Sequence, residues 1–381
     1  MNRVFSFLAA LIIFFLIYSF YLSTFEFQLF EMPSTVKVNS VNQFYDYRVS
    51  ANIHSKFSLG SGTYESIAQE AAKTKQNFVI FTDINMPQKI QSDRYDNRIG
   101  LIFAEKMITD DLRTIQYSSE NGTNQLRYAA HPLKSNYDIQ VLEKSDFSGM
   151  EVFNLKNITQ SAWKKSKFST IWSLIFYPFN PRLSLIRLYI EPTDELNIFD
   201  QISQRKKFVM YMGSEASARA IPITNLIMKF PSYERNFSVG SQHLLLNSEL
   251  TGDIKKDRIS VIEALRNGQF YISFDELGEP TGFESYLIAK DGSRTLMGGT
   301  IHFKKDLKLF YKLPSEPNVF FEVVVFKNGV RYDHLNTSSG SFLLNGPGTY
   351  RLQVRLSPRL PLPDAVKWLS WIYTNNFYVE P

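Results

Sequence analysis

The chain of 381 residues contains no cysteine. That absence excludes disulfides, a lipid-attachment cysteine, a thiolate nucleophile and every thiolate metal site. It fits an exported protein that avoids unpaired thiols. Charge of one sign is also scarce, since forty-two Lys and Arg against thirty-seven Asp and Glu leave only +5. No basic run stands out, so nucleic-acid binding has no compositional support. Also missing are a Ser-His-Asp pattern, a Gly-rich phosphate loop ending in Lys, a dinucleotide fingerprint and any internal repeat. Apolar and aromatic residues are plentiful: 44% hydrophobic, with thirty-two Phe and twenty Tyr. Such a chain is not largely disordered, and it is long enough for two domains with a core each.

One hydrophobic run is long. Residues 4–22 carry no charge, and at 1.5 Å per residue they reach about 28 Å, one bilayer core. Arg3 precedes the run while Glu26 and Glu31 follow it. By the positive-inside rule the N-terminus stays cytoplasmic and the main domains are periplasmic or extracellular. A cleaved signal peptide fits less well, because its apolar core is usually 7 to 15 residues and no Ala-x-Ala site follows. Expected partners are therefore the membrane, through residues 4–22, and other envelope proteins.

Four regions are expected: a signal-anchor over 1–23, a stalk over 24–46, an α/β barrel over 47–281 and an antiparallel β-sandwich module over 282–381. In the third, strand-like runs at 78–81, 100–107, 149–153 and 207–213 alternate with helical patterns, as in parallel α/β proteins. Thr63 and Asp257 are expected to cap two of the helices, and 193–204 is a third. The stretch 168–190 is interrupted by Pro178, Pro181, Arg182 and Arg187, so it reads as a helix-and-strand insertion, with a peripheral membrane contact as the other reading. Beyond 282 short alternating strands dominate, and Asn328-Gly329 marks a tight hairpin turn.

The chemistry should start in residues 47–85. A strand ends at His54, a Gly-rich turn and helix follow, and a second strand ends at Thr82 and Asp83. Polar residues just past the carboxyl ends of parallel strands face the ligand crevice of α/β proteins. This unit resembles the opening of the polymerase and histidinol phosphatase (PHP) family, in which His-x-His, Ser-Asp-Gly and Thr-Asp-His stand in that order. Here the places hold Asn52-Ile53-His54, Ser58-Leu59-Gly60 and Thr82-Asp83-Ile84.

The resemblance implies a distorted βα barrel with His and carboxylate ligands around as many as three divalent metals, which activate a water for phosphoester hydrolysis. Carried over by motif, the metal ligands are His54, Glu105 after GLIFA, His131 in AHP and Glu215 in GSEA. Four ligand places are emptied, by Asn52, Leu59, Ile84 and Ser217. Leu and Ile have no lone pair to give, and Asn and Ser are weak neutral donors. Asp83, Glu151 and Asn154 would orient the ligands, and Lys134 and Arg219 would contact substrate.

A partial N/O site of this kind suits zinc or manganese, or it holds no metal at all. The expected function is a non-catalytic binding or assembly module of the cell envelope. Two alternatives stay open. One is a metal-dependent phosphoesterase with a reduced metal centre. The other is carbohydrate or peptide binding through the β module. His243 is open to a structural or a functional role.

Overall fold

The structure, a computed structural model, describes residues 2–26, 29, 44–84, 92–109, 112–117, 125–135, 137–223, 226–229, 231–362, 364 and 366–381, without side chains for 2 and 220–229. Most of the expected stalk lies outside the described residues.

The protein is mixed α/β. Tyr45–Ile53, Phe78–Phe81 and Ile99–Phe103 lie side by side and parallel, with Val49 opposite Phe78 and Phe78 opposite Gly100. The last two are buried along their whole length, as expected of parallel strands covered on both faces. The helix Tyr64–Lys73 makes the crossover. Thr63 caps it by accepting the Ser66 N–H, and Ile67, Ala68 and Ala71 pack with Val79, Phe81 and Leu101.

A second parallel set, Leu126–Ala129, Gly149–Asn154 and Val209–Gly213, belongs to a five-stranded sheet completed by two antiparallel strands, Glu105–Thr109 and Leu112–Tyr117. The run expected as one strand over 100–107 is in fact two. Ala104 N–H still bonds to Phe81 in the first sheet at 2.9 Å, and from Glu105 onward the chain pairs with Gln116 in the other.

The first sheet continues through Ser241–Leu246 and Phe270–Ser273 into Leu369–Thr374 and Gly348–Ser357, with twelve strands among the described residues. Residues on both sides of 282 therefore share one sheet. A four-stranded antiparallel sheet built around Glu284–Ile288 and Lys308–Lys312 contributes Leu287, Leu309 and Tyr311 to the same core as Val323 and Leu352. Asn328 (φ 53°) and Gly329 (φ 80°) make the expected turn between Phe320–Lys327 and Val330–Leu335.

Two local expectations are corrected. Asp253, not Asp257, caps the helix Ile254–Asn267; Asp257 sits in its first turn and accepts from the N–H groups of Thr251 and Gly252. The 168–190 stretch forms two helices, Lys167–Phe176 and Pro181–Leu188, and no strand, because Asn180 and Pro181 start a new helix at once.

Asn2–Thr24 is one helix, long and apolar enough to cross a membrane, a property shared with signal sequences; only 11% of its apolar window is buried. The buried part is its far end. Tyr18 packs on Trp172 and Phe176 at 5.4 and 5.0 Å, Arg187 donates to the Tyr18 hydroxyl at 3.3 Å, and Asn180 donates to the carbonyls of Leu22 and Phe25 at 2.9 Å.

Candidate functional site

The carboxyl ends of strands from both parallel sets converge on one buried polar cluster. Glu215, just past Val209–Gly213, stands at its centre. Its Oε1 takes a hydrogen bond from Lys106 Nζ, another from Asn52 Nδ2 at 2.9 Å, and meets His131 Nε2 at 2.7 Å. Its Oε2 lies 3.6 Å from His54 Nε2, which has no hydrogen-bond partner among the described residues. Burial raises the Glu215 carboxyl, but the histidine contacts and the Lys106 charge outweigh it and hold the group well below the usual carboxylate range. Glu215 is therefore a carboxylate opposite an ammonium.

Asn52 ties the cluster together. Its Nδ2 donates to Glu151 Oε1 at 2.7 Å and to Glu215, while its Oδ1 accepts from Thr82 Oγ1 at 2.7 Å and Lys106 Nζ at 3.1 Å. Only a side-chain amide offers two donors and an acceptor in this arrangement. Glu151 in turn accepts the His131 N–H at 3.0 Å. Gly213 makes room for that carboxylate, since a Cβ there would stand 1.9 Å from Glu151 Oε1. The backbone itself is strained. Asn52 (φ 60°), His131 (φ 47°) and Glu215 (φ 49°) all occupy the left-handed region, which side-chain-bearing residues avoid unless their surroundings impose it.

Of the four expected ligands, His54, His131 and Glu215 come together. Glu105 is not among them. As the first residue of the Glu105–Thr109 strand it shares that strand with Lys106, and successive strand side chains face opposite ways. Lys106 is 3% exposed and enters the cluster; Glu105 is half-buried on the other face.

The remaining expected positions are dispersed. Leu59 is 41% exposed, and Ile84 donates its N–H to Ser58 Oγ. Asp83 binds Ser55 and Tyr64, so it holds the turn after His54. Asn154 caps the helix Leu155–Lys165 by accepting the Asn157 N–H. Ser217 and Arg219 line a neighbouring cavity, and Lys134 donates to Gln160 at its edge.

Lys106 was missed by motif reasoning. Among the described residues no three or more His, Cys, Asp or Glu side chains form a group able to hold a metal ion. The reason is physical: an ammonium already occupies the centre and spends the Glu215 Oε1 lone pairs. A divalent cation in the same place would meet like charge, so the side chains present do not fit one.

No protein-family model matches the chain, and no curated protein matches it. Among solved structures, the chain is similar to a two-domain protein from Bacteroides vulgatus described as containing a predicted PHP-like metal-dependent phosphoesterase. Identity is 10%, the match covers 91% of this chain and 99% of that one, and the TM-score is 0.39.

Proposed function

We propose that the protein is a membrane-anchored, exported, PHP-like module without catalytic activity, in which Lys106 stands where a metal would be and the cluster serves as scaffold beside a binding cavity. In this reading Asn2–Thr24 is the anchor, the two parallel sets form the distorted barrel and the C-terminal strands the sandwich. The observation that carries it is the Lys106 ammonium bonded to Glu215, Asn52 and, at 3.5 Å, His131 Nε2. A buried cation paired this way replaces the charge of a metal but supplies no Lewis acid and no activated water.

The phosphoesterase alternative keeps one supporting observation, the unpartnered His54 Nε2 beside the cavity. The test is metal content, melting temperature and phosphoester turnover of the full chain, purified without chelator. The expected result is no stoichiometric metal, no change in melting on adding zinc, manganese or chelator, and no phosphate released. Stoichiometric metal that disappears in both His54→Ala and His131→Ala would overturn the reading in favour of the enzyme.

A further inference from the structure

Beside the cluster the chain surrounds a cavity of about 380 Å³. Much of its wall is apolar: Leu188, Tyr189, Phe274, Leu277 and Leu369 line it and are all buried, beside the buried carboxyl groups of Glu215 and Glu276. Its mouth is cationic. Lys156 and Arg219 line it and are exposed, and neither has an ion-pair partner among the described residues. Lys134 adds a third positive charge through its bond to Gln160, another lining residue. Burial first, and then the charges of Lys156 and Arg113, lower the Lys134 ammonium from its ordinary value, while the Glu215 carboxylate acts in the opposite direction. His54 also lines the cavity, and its buried Nε2, 3.6 Å from Glu215 Oε2, has no hydrogen-bond partner among the described residues.

The mouth is continuous with the surface around the N-terminal helix. Lys156, Thr159 and Gln160 share a face of the helix Leu155–Lys165 with Trp163, spaced i, i+3, i+4 and i+7. Trp163 is 43% exposed, and on the next helix Phe168, Ile171, Leu174 and Ile175 are 44–64% exposed. On the same helix Trp172, whose ring also contacts that of Phe168, and Phe176 pack on Tyr18. Tyr18 also donates to the carbonyl of Leu362, which is 75% exposed. Apolar side chains thus rim the point where the N-terminal helix leaves the body, the pattern of a surface seated in the bilayer interface.

We propose that this cavity binds an anionic single-chain amphiphile taken from the bilayer, its acyl chain against Leu188, Phe274 and Leu277 and its carboxylate or phosphate head at Lys156 and Arg219. The inference rests on the reading of Asn2–Thr24 as an anchor for its source of ligand, and on the cavity alone for its chemistry. An apolar floor with a few convergent charges at one end fixes both the class and the orientation of such a ligand.

The experiment places the full chain in phosphatidylcholine nanodiscs and measures retention of radiolabelled oleate above that of empty discs. One saturable site per chain is expected. Oleoyl lysophosphatidate should compete for it, and oleoyl lysophosphatidylcholine and monoolein should not. Competition by one anion only tells a carboxylate source from a phosphate source. Val239→Trp, which fills the cavity, should abolish retention, and the exposed pair Lys156→Glu/Arg219→Glu should weaken it at least tenfold, with circular dichroism confirming that both variants fold. Retention that is absent in the wild type, equal in the charge-reversed pair, or displaced equally by monoolein overturns the proposal. Alkaline carbonate extraction of native membranes reads the anchor separately. A chain that is released yet still binds oleate saturably defeats the anchor and keeps the cavity.

Discussion

Two buried histidine clusters lie at opposite ends of the strand Tyr45–Ile53, and both set histidine against carboxylate, to different effect. At its start, His243 Nδ1 meets Asp46 Oδ1 at 2.8 Å, its Nε2 lies 3.2 Å from Ser241 Oγ, and Tyr271 stacks on the ring at 4.7 Å. Both ring nitrogens have partners, and none of these four residues has a positive φ. At the other end, His54 Nε2 makes no hydrogen bond among the described residues, three residues are held in the left-handed region and the cluster borders a cavity. Complementary charges on regular strands are what a scaffold needs. Strained backbone beside a cavity with an unsatisfied ring nitrogen is what a site retains. His243 accordingly belongs to the scaffold.

The comparison breaks most sharply at Lys106. Lys106→Met leaves the Glu215 carboxylate buried without its cation, and the expected loss is about 3–5 kcal/mol, read from urea unfolding of the full chain at pH 7. Adding Glu215→Gln to the same chain should recover much of it, since no charge is then left uncompensated. A Lys106→Met protein as stable as the wild type would show that the ammonium does not hold this end together.

Opposite pH dependence sharpens the contrast. Burial alone would lower His243, but Asp46 and Asp275 raise it to about 9 from 6.5. Its stabilisation is full below about pH 6.5 and is lost as pH rises through about 9, an effect of about 3 kcal/mol. Asp46→Asn should flatten that alkaline slope. Glu215, shifted downward, contributes fully above its ordinary 4.5 and loses that contribution as pH falls. Unfolding followed from pH 3 to 10 in Asp46→Asn and Glu215→Gln should therefore remove one wing each. If either variant flattens both wings, the two clusters are not separate.

The smallest effect is expected at Leu59, which is 41% exposed at the cavity that His54 and Glu215 also line. Leu59→Asp adds a carboxylate where the resemblance noted in the sequence would place one, yet it should change stability by no more than about 0.5 kcal/mol and bring no zinc binding by calorimetry. Zinc uptake by this single variant would mean that Lys106 does not block the centre.

Much of this site was legible from strand ends. His54, His131 and Glu215 follow strand runs at motif spacing, and they do meet. Glu105 and Lys106 were not separable, because a one-residue change in where the strand begins exchanges the faces of neighbouring side chains. The sequence GLIFAEKM shows no break at Ala104, where the chain leaves one sheet for the other. Asn52 was read by what it lacks, although as a hub it offers more bonds than an imidazole would. The irregular register between Ala51 and Ile53 that accompanies its φ of 60° has no local sequence signal. The pairing of Tyr271 with Thr374 was equally hidden, since it joins segments far apart in the chain.

That last pairing governs how the molecule must be made. The strand bearing Asn52 pairs with Ser241–Leu246, which pairs with Phe270–Ser273, which in turn waits for Leu369–Thr374. Sheets assembled from such distant segments close slowly, because chain entropy is lost before the rewarding contacts form. Until the late segments arrive, Phe270–Ser273 presents an unpaired edge, and such edges invite pairing with other chains. Truncation before residue 369 would leave that edge permanently open, and the resulting protein should aggregate instead of yielding a smaller folded unit.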